Sequence, residues 1–335
     1  MTPTFKGRMR FGVSLPHGKP GQHTDYGMVR EAALECERLG YDAIYVSDHV
    51  VPRPNTPYPE RDEYDLDVPY LECWTLLSAL AAETERIRLG TFTLCSSFRQ
   101  PPALLAKMAA TLDNISGGRV IFGIGAGYNE REYKMYGVPY LKPSTRIRQL
   151  EESVQIAKKM WTEERPSFKG RHYSIEEAIC NPKPVQKPYP PILIGGRGRN
   201  LTLRVVARHA DVWNWPPAVY VTPEIYAEYL ELLGRHCEEV GRDPQRITLS
   251  MGEILHVSED RAVLKKEVAE YKPDELTMEA YMNHLIGTPE ECIDRVKMYR
   301  GLGVSEFVMQ VPTLARGDHG ALRLFAEKVM PEFKD

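Results

Sequence analysis

The sequence has no long hydrophobic run and no strong charge imbalance. No apolar stretch approaches the roughly 20 residues that a membrane-spanning helix needs, and the N-terminal residues lack an apolar core long enough for a signal peptide. The formal net charge is −3, so nothing indicates binding to nucleic acid. We therefore expect a cytoplasmic protein that binds neither a membrane nor nucleic acid.

Motifs based on cysteine, metal ligands and nucleophilic serine are also absent. The 6 cysteines form no C-x-x-C pair, which favours free, mostly buried thiols in a reducing compartment. No H-E-x-x-H and no G-x-S-x-G occurs, so neither a zinc protease nor a serine hydrolase of the common type is indicated. We predict no metal site, and we interpret Cys95 as a buried thiol and not as a nucleophile.

The most informative stretch, residues 104–132, contains a helix, a strand and a glycine-rich end. The helix is predicted to end at the Ser-Gly-Gly of residues 116–118. Residues 119–127 form an almost unbroken apolar run, which is typical of a strand buried on both faces. The run ends at Gly125 and Gly127, where a ligand can approach the backbone. The alternative interpretation is that small residues fit a crowded barrel interior.

Strand and helix patterns alternate along the whole chain. Eight strands are predicted, at residues 10–15, 41–47, 87–94, 119–127, 192–195, 211–215, 247–257 and 306–311. Eight such units argue for a (β/α)8 TIM barrel with insertions, in a single domain over residues 1–335, with an open doubly wound sheet as the runner-up. A small hairpin is expected near residues 168–173, whereas the role of residues 256–286 is left open.

In a barrel of this kind the active site lies at the C-terminal ends of the strands. Reading those ends from the sequence gives these candidates: His17, Asp48, His49, Thr93, Cys95, Gly125, Gly127, Gly195, Gly196, Trp213, Trp215, Glu253 and Gln310.

Four blocks of the chain resemble the bacterial luciferase-like superfamily of flavin- and deazaflavin-dependent oxidoreductases. They are residues 39–49, 84–90, 102–127 and 181–196, in the order that the family has them. The resemblance implies a barrel that binds coenzyme F420, or alternatively FMN, at the strand ends. The Ser-Asp-His sequence that ends at His49 is more typical of the branch that uses coenzyme F420.

The resemblance also implies roles for individual residues. Asp48 is expected to contact the ring system, and a non-prolyl cis peptide is expected near Thr91, Phe92 and Thr93, behind the central ring. We place Gly125, Gly127 and Asn129 at the cofactor-facing rim. Tyr128 stands where the sugar-phosphate dehydrogenases of this branch have an acidic residue, so a sugar phosphate is a poor substrate prediction.

Each of these residues has a structural alternative. Asp48 either accepts hydrogen bonds from the ring edge or caps the next segment. His49 either transfers a proton, since its ordinary pKa lies near neutrality, or is a packed histidine. Gly195, Gly196 and Arg197 either hold the cofactor's phosphate at a helix N-terminus or form a tight turn.

Three further residues are predicted to line the substrate pocket. Trp213 and Trp215 alternate on one strand and face the same side, so they line either the pocket or the core. His17, at the end of the first strand, is placed with them.

Three functions fit these features. The first is hydride transfer between coenzyme F420 and a small organic substrate, supported by an enzyme that reduces F420. The second is an FMN-dependent monooxygenase supplied by a separate reductase, and the third is a non-catalytic flavin-binding protein. Cofactor identity separates the first two, because the deazaflavin lacks the ring nitrogen that flavin uses with oxygen. We also expect a homodimer.

Overall fold

The computed structural model describes residues 8–16, 24–51, 69–216, 221–271 and 277–333. Its strands are β1 (Arg10–Ser14), β2 (Ala43–Val46), β3 (Arg88–Thr91), β4 (Leu94–Cys95), β5 (Val120–Gly125), β6 (Phe168–Lys169), β7 (Ser174–Ile175), β8 (Ile192–Gly195), β9 (Val212–Trp215), β10 (Thr248–Val257), β11 (Leu285–Gly287) and β12 (Val304–Gln310). Its helices are α1 (Tyr26–Leu39), α2 (Cys73–Glu83), α3 (Pro102–Ile115), α4 (Glu130–Met135), α5 (Pro143–Thr162), α6 (Thr202–His209), α7 (Pro223–Glu239), α8 (Arg261–Tyr271), α9 (Met278–Met282), α10 (Pro289–Gly301) and α11 (Gly320–Lys328). Short 3-10 helices cover Pro244–Arg246, Pro312–Arg316 and Met330–Phe333.

Eight parallel strands close into a barrel. In order they are β1, β2, β3, β5, β8, β9, β10 and β12, and β12 pairs with β1 to complete the ring. Helices surround the ring, and the main hydrophobic core lies between helices and strands. The predicted (β/α)8 fold is therefore confirmed. Within the described ranges no helix is both long and apolar enough to cross a membrane.

A second, smaller core fills the barrel interior. It consists of Ala43, Tyr45, Ile121, Leu193, Val212 and Val308, with Phe92 packed against it. The Tyr45 hydroxyl donates to Glu306 at 3.0 Å. A Cβ atom would lie 2.6 Å from the Tyr45 ring at Gly12 and 2.3 Å from it at Gly90, so glycine is needed at both positions.

The third barrel strand differs from its prediction. Residues 87–94 were expected to form one strand, but β3 ends at Thr91 and the short β4 begins only at Leu94. A non-prolyl cis peptide joins Phe92 and Thr93 between them, which confirms the position expected from the family resemblance.

The stretch around the glycine-rich strand matches its prediction closely. α3 ends at Ile115, and Gly117 and Gly118 follow with φ angles of +65° and +89°, which glycine adopts without steric cost. Every residue of β5 is buried. The short helix α4, which follows the strand, was not predicted.

Residues 256–286 contribute a small module at the C-terminal end of β10. β10 extends past the barrel, and β11 pairs with its last three residues, Leu255 to Val257. α8 and α9 complete the module around a cluster of Ile254, Leu264, Val268, Tyr281 and Ile286. The hairpin expected near residues 168–173 is also present, as β6 and β7.

All six cysteines are free, and five of them are buried. This agrees with the expected free, mostly buried thiols. The sixth, Cys95, is partly buried at the end of β4.

Candidate active site

His49 lies just beyond the C-terminal end of β2, in the loop at the barrel mouth. Its side chain is 10% exposed, and its Nδ1 lies 2.9 Å from Oε1 of Glu132. The backbone N–H of Val50 donates to the same oxygen at 3.1 Å. Nε2 lies 3.3 Å from the hydroxyl of Tyr128, a residue that is 59% exposed. The predicted catalytic histidine is therefore held on one side by a carboxylate and faces an exposed phenol on the other.

Asp48 enters a different network. Its carboxylate accepts the backbone N–H of Cys95 at 2.9 Å and the Arg99 Nε at 3.0 Å, and its side chain is only 1% exposed. Arg99 also reaches Glu72 at 2.7 Å. Burial opposes the charge of Arg99, but its hydrogen bond to Asp48 and the attraction between the two charges outweigh burial and raise the pKa of the guanidinium. This geometry favours the structural interpretation of Asp48, and its contact with a ring edge stays a prediction.

Thr91 and Thr93 occupy the space beside the glycine-rich strand. The Thr91 hydroxyl donates to the Gly123 carbonyl at 2.6 Å and accepts the Gly123 N–H at 2.9 Å, which ties β3 to β5. A Cβ atom on Gly125 would lie 2.8 Å from the Thr93 hydroxyl, and one on Gly195 would lie 3.1 Å from the Thr93 methyl. Packing against Thr93 therefore disfavours a side chain at Gly125 and leaves only tight room for one at Gly195.

Gly127 faces a compact polar cluster. Its φ angle is +74°, and a Cβ atom there would lie 2.1 Å from Cys95 Sγ and 2.5 Å from the Tyr133 hydroxyl. The thiol lies 2.6 Å from that hydroxyl. Burial raises the pKa of the Cys95 thiol, so it stays protonated, as expected of a residue that is not a nucleophile. Asn129 is the N-cap of α4.

The loop between β8 and α6 carries the predicted phosphate site. Gly196 has a φ angle of +126°. Arg197 is exposed, and within the described ranges it forms no ion pair. Arg199 is already engaged, because it lies over the Tyr229 ring at 4.9 Å and pairs with Glu228. Of the two arginines, only Arg197 is available to an anion at the amino end of α6.

Trp213 and Trp215 point away from the barrel interior. They are 0% and 1% exposed and belong to the core between strands and helices. Trp213 stacks on Tyr226 of α7 at 5.8 Å, and its indole N–H donates to the Gly196 carbonyl at 2.9 Å. Their strand neighbour Val212 faces the interior instead. This burial favours the core interpretation of the two tryptophans, and their place in a substrate pocket stays a prediction. His17 lies outside the described residues.

A second histidine–carboxylate pair lies near the same end of the barrel. His284 Nδ1 is 2.7 Å from Oε2 of Glu253, and both residues are buried. Together with Trp215 and Tyr299 they line a cavity with room for about one water molecule, and among the described residues His284 Nε2 has no hydrogen-bond partner. This pair lies in the outer layer, away from the barrel interior.

Two important residues were missed from the sequence. Glu132 and Arg99 lie 83 and 51 residues from their partners His49 and Asp48, so no local pattern connects them. The only signal for Glu132 was an acidic residue in the turn that follows the glycine-rich strand. In the described part of the chain no group of three or more histidine, cysteine or acidic side chains is placed to hold a metal.

The fold and this site define a class of protein: a (β/α)8 barrel with a histidine–carboxylate pair and glycine-rich strand ends at its C-terminal mouth. A model of the luciferase-like monooxygenase family matches residues 9–306. The chain belongs to that family and is therefore an enzyme of an oxidoreductase family. The match confirms the resemblance that its sequence indicated.

Individual relatives and neighbours agree with this assignment. An F420-dependent glucose-6-phosphate dehydrogenase from Microbacterium testaceum is 28% identical over 97% of this chain and 98% of its own length. An uncharacterized protein from Mycobacterium tuberculosis is 34% identical over 58% of this chain and 70% of its own. Among solved structures, an F420-dependent secondary alcohol dehydrogenase has a TM-score of 0.79 at 20% identity, covering 98% of this chain and 100% of its own. A long-chain alkane monooxygenase has a TM-score of 0.78 at 15% identity, covering 98% and 91%.

Proposed function

We propose that this enzyme uses coenzyme F420 and moves a hydride between it and a small organic alcohol or carbonyl compound. The observation that carries the proposal is His49, held at the barrel mouth by Glu132 with Nε2 directed to the side where the exposed Tyr128 lies. Curated relatives that match most of the chain are named as F420-dependent dehydrogenases, which supports the same cofactor here.

The residues at the mouth fit such a cofactor. Gly196 and the exposed Arg197 precede α6, where backbone N–H groups and a positive charge suit a phosphate. Phe92 and Tyr45 provide an apolar floor, with ring centroids 5.5 Å apart. When bound, the deazaflavin ring donates or accepts the hydride, and it does not support oxygen chemistry.

The proton that accompanies the hydride is assigned to His49. In the oxidative direction Nε2 accepts the hydroxyl proton of an alcohol, and in the reverse direction the imidazolium returns it to the carbonyl oxygen. This requires the substrate oxygen to approach Nε2 from the side where the Tyr128 hydroxyl now lies, 3.3 Å away. General acid–base catalysis of this kind contributes roughly 10²–10⁴-fold to the rate.

Titration of the purified protein with coenzyme F420 and with FMN tests the cofactor. We expect saturable binding of F420, followed by ring absorbance and fluorescence. Mixing the F420 complex with a panel of secondary alcohols, and with glucose 6-phosphate, then tests hydride transfer through the loss of that fluorescence. Tight FMN binding together with substrate-dependent oxygen uptake would contradict the proposal and support the monooxygenase alternative.

A further inference from the structure

Glu132 contacts His49 in a way that determines which of its nitrogens carries a proton. Oε1 of Glu132 lies 2.9 Å from His49 Nδ1 and accepts the Val50 N–H at 3.1 Å. Both side chains are buried, with 9% of Glu132 and 10% of His49 exposed. An ionised carboxylate only accepts hydrogen bonds, so the shared hydrogen lies on Nδ1.

The position of Glu132 follows from the local sequence. β5 ends at Gly125, and Asn129 begins α4, so Glu132 lies in the first turn of that helix, where a negative charge is favoured by the helix dipole. Glu130, in the same turn, points outward and pairs with Lys134 at 2.9 Å, with 52% of its side chain exposed. Only one of the two acids is therefore directed at His49.

We infer that Glu132 is a positioning residue that holds His49 as the Nδ1–H tautomer, leaves Nε2 as the proton-transferring atom, and stabilises the imidazolium. The catalytic role of the contact between Glu132 and His49 rests on the proposed function. The lone pair of the neutral ring then lies on Nε2, on the side of the Tyr128 hydroxyl. Without the carboxylate, the hydrogen is free to move to Nε2, which then cannot accept a proton from a substrate.

Among the described residues, the other charged and titratable groups around the ring do not replace Glu132. Tyr128 contributes a phenol on the Nε2 side, with its ring edge-on to the imidazole at 5.7 Å. Asp48, the preceding residue, is directed to Arg99. Tyr136 donates to the Val50 carbonyl and not to the ring.

Two substitutions at one position separate charge from hydrogen bonding. Glu132→Gln keeps an oxygen that accepts from both Nδ1 and Val50 but removes the charge. Glu132→Leu removes the acceptor as well. Glu130→Gln is the matched control, because it removes an exposed acid from the same helix turn.

Nitrogen-15 NMR of the side chain, on full-length protein without cofactor, reads the tautomer of His49 directly, with His49→Gln identifying the resonance. We expect the Nδ1–H tautomer in the wild type and the control. Glu132→Leu should shift the ring towards Nε2–H, whereas Glu132→Gln, which keeps an oxygen that accepts from Nδ1, should retain the Nδ1–H tautomer.

Turnover provides the second measurement. We expect kcat with F420 to fall by roughly 10²–10⁴-fold in Glu132→Leu and less in Glu132→Gln. An unchanged tautomer in folded Glu132→Leu would overturn the inference, even if F420 turnover is observed. Failure of F420 to bind, with the NMR result as expected, would instead overturn the proposed function alone.

Discussion

Asp48 and His49 are adjacent, but their side chains serve different networks. Successive side chains at a strand end point in opposite directions, so one is directed to Arg99 and the other to Glu132. The alternation could be predicted from the sequence. The partners could not, because contacts over 51 and 83 residues depend on how the barrel closes.

Asp48→Ala should destabilise the protein more than it affects any cofactor contact. The substitution leaves Arg99 largely buried without its principal partner, and breaking such a pair costs about 3–5 kcal/mol. Urea unfolding measures this loss. Glu83→Ala is the control, since its pair with Arg30 is exposed and screened by solvent and should contribute far less to stability. If Asp48→Ala is as stable as the wild type but binds F420 poorly, the ring-contact role is correct.

Arg197→Ala should weaken cofactor binding without loss of stability. One charge-assisted phosphate contact contributes about 1.5–3 kcal/mol, so the dissociation constant should rise roughly 10-fold to 100-fold. Fluorescence titration with F420 measures it. Arg199→Ala is the matched control two residues away, because that side chain already packs on Tyr229. Equal effects of the two substitutions would place the phosphate elsewhere.

At the scale of elements, packing explains the glycines in and after β5. From the sequence, packing was only one of two interpretations of these glycines. The sequence placed the strand, the helix stop before it and its buried character correctly. It left open whether its glycines face a ligand or the protein, and the structure shows that Thr93, Cys95 and Tyr133 fill the space.

Gly127→Ala should therefore destabilise the protein and disturb the rim even without cofactor. The new Cβ would lie 2.1 Å from Cys95 Sγ at a backbone φ of +74°, so both packing and conformation oppose it. We expect a loss of about 1–3 kcal/mol in urea unfolding. Gly234 lies inside α7, and no atom lies within 4 Å of the position that a Cβ atom would take there. Gly234→Ala should therefore stabilise the folded protein by up to about 1 kcal/mol. A Gly127→Ala protein of normal stability that binds no cofactor would show that the ligand, and not packing, requires glycine.

Two other elements show where local patterns fail. Trp213 and Trp215 alternate as a strand requires, but alternation does not say which face meets the core when both faces are buried. The short helix α9 lies in a stretch whose structure the sequence left open, and its Tyr281 contacts His256 of the extended β10 at 2.8 Å. Such contacts exist only in the folded chain.

At the scale of the whole molecule, the first and last helices meet. Strand β12 pairs with β1, and this closure brings α11 against α1. Glu35 of α1 accepts from Arg38 at 2.7 Å and from Arg323 of α11 at 2.6 Å. The alternation of strands and helices in the sequence predicts the closure, because eight β/α units complete a ring. It does not predict which side chains join the first and last helices.

This junction should make stability depend on pH in acid. The hydrogen bond from Arg38 lowers the pKa of Glu35 from its usual 4.5 to about 2, with Arg323 adding to the effect against opposing burial. A carboxylate whose pKa is lowered by folding contributes its full stabilisation of the folded protein at pH values above its pKa in the unfolded chain. That contribution is lost as the pH falls through its pKa in the folded protein. The contribution is therefore complete at pH 7 and declines from about pH 5 towards pH 2.

Glu35→Gln removes this titration while keeping the shape of the side chain. We expect the wild type to exceed the variant in free energy of unfolding at pH 7, and the difference to shrink in urea titrations at pH 4 and pH 3. The difference should also be smaller in 1 M salt, because Arg38 and Arg323 are 63% and 60% exposed and their attraction is screened. Glu31→Gln, at an exposed site of the same helix, should show no such trend. A constant difference between pH 7 and pH 3 would mean that Glu35 joins the two helices by packing and not by its charge.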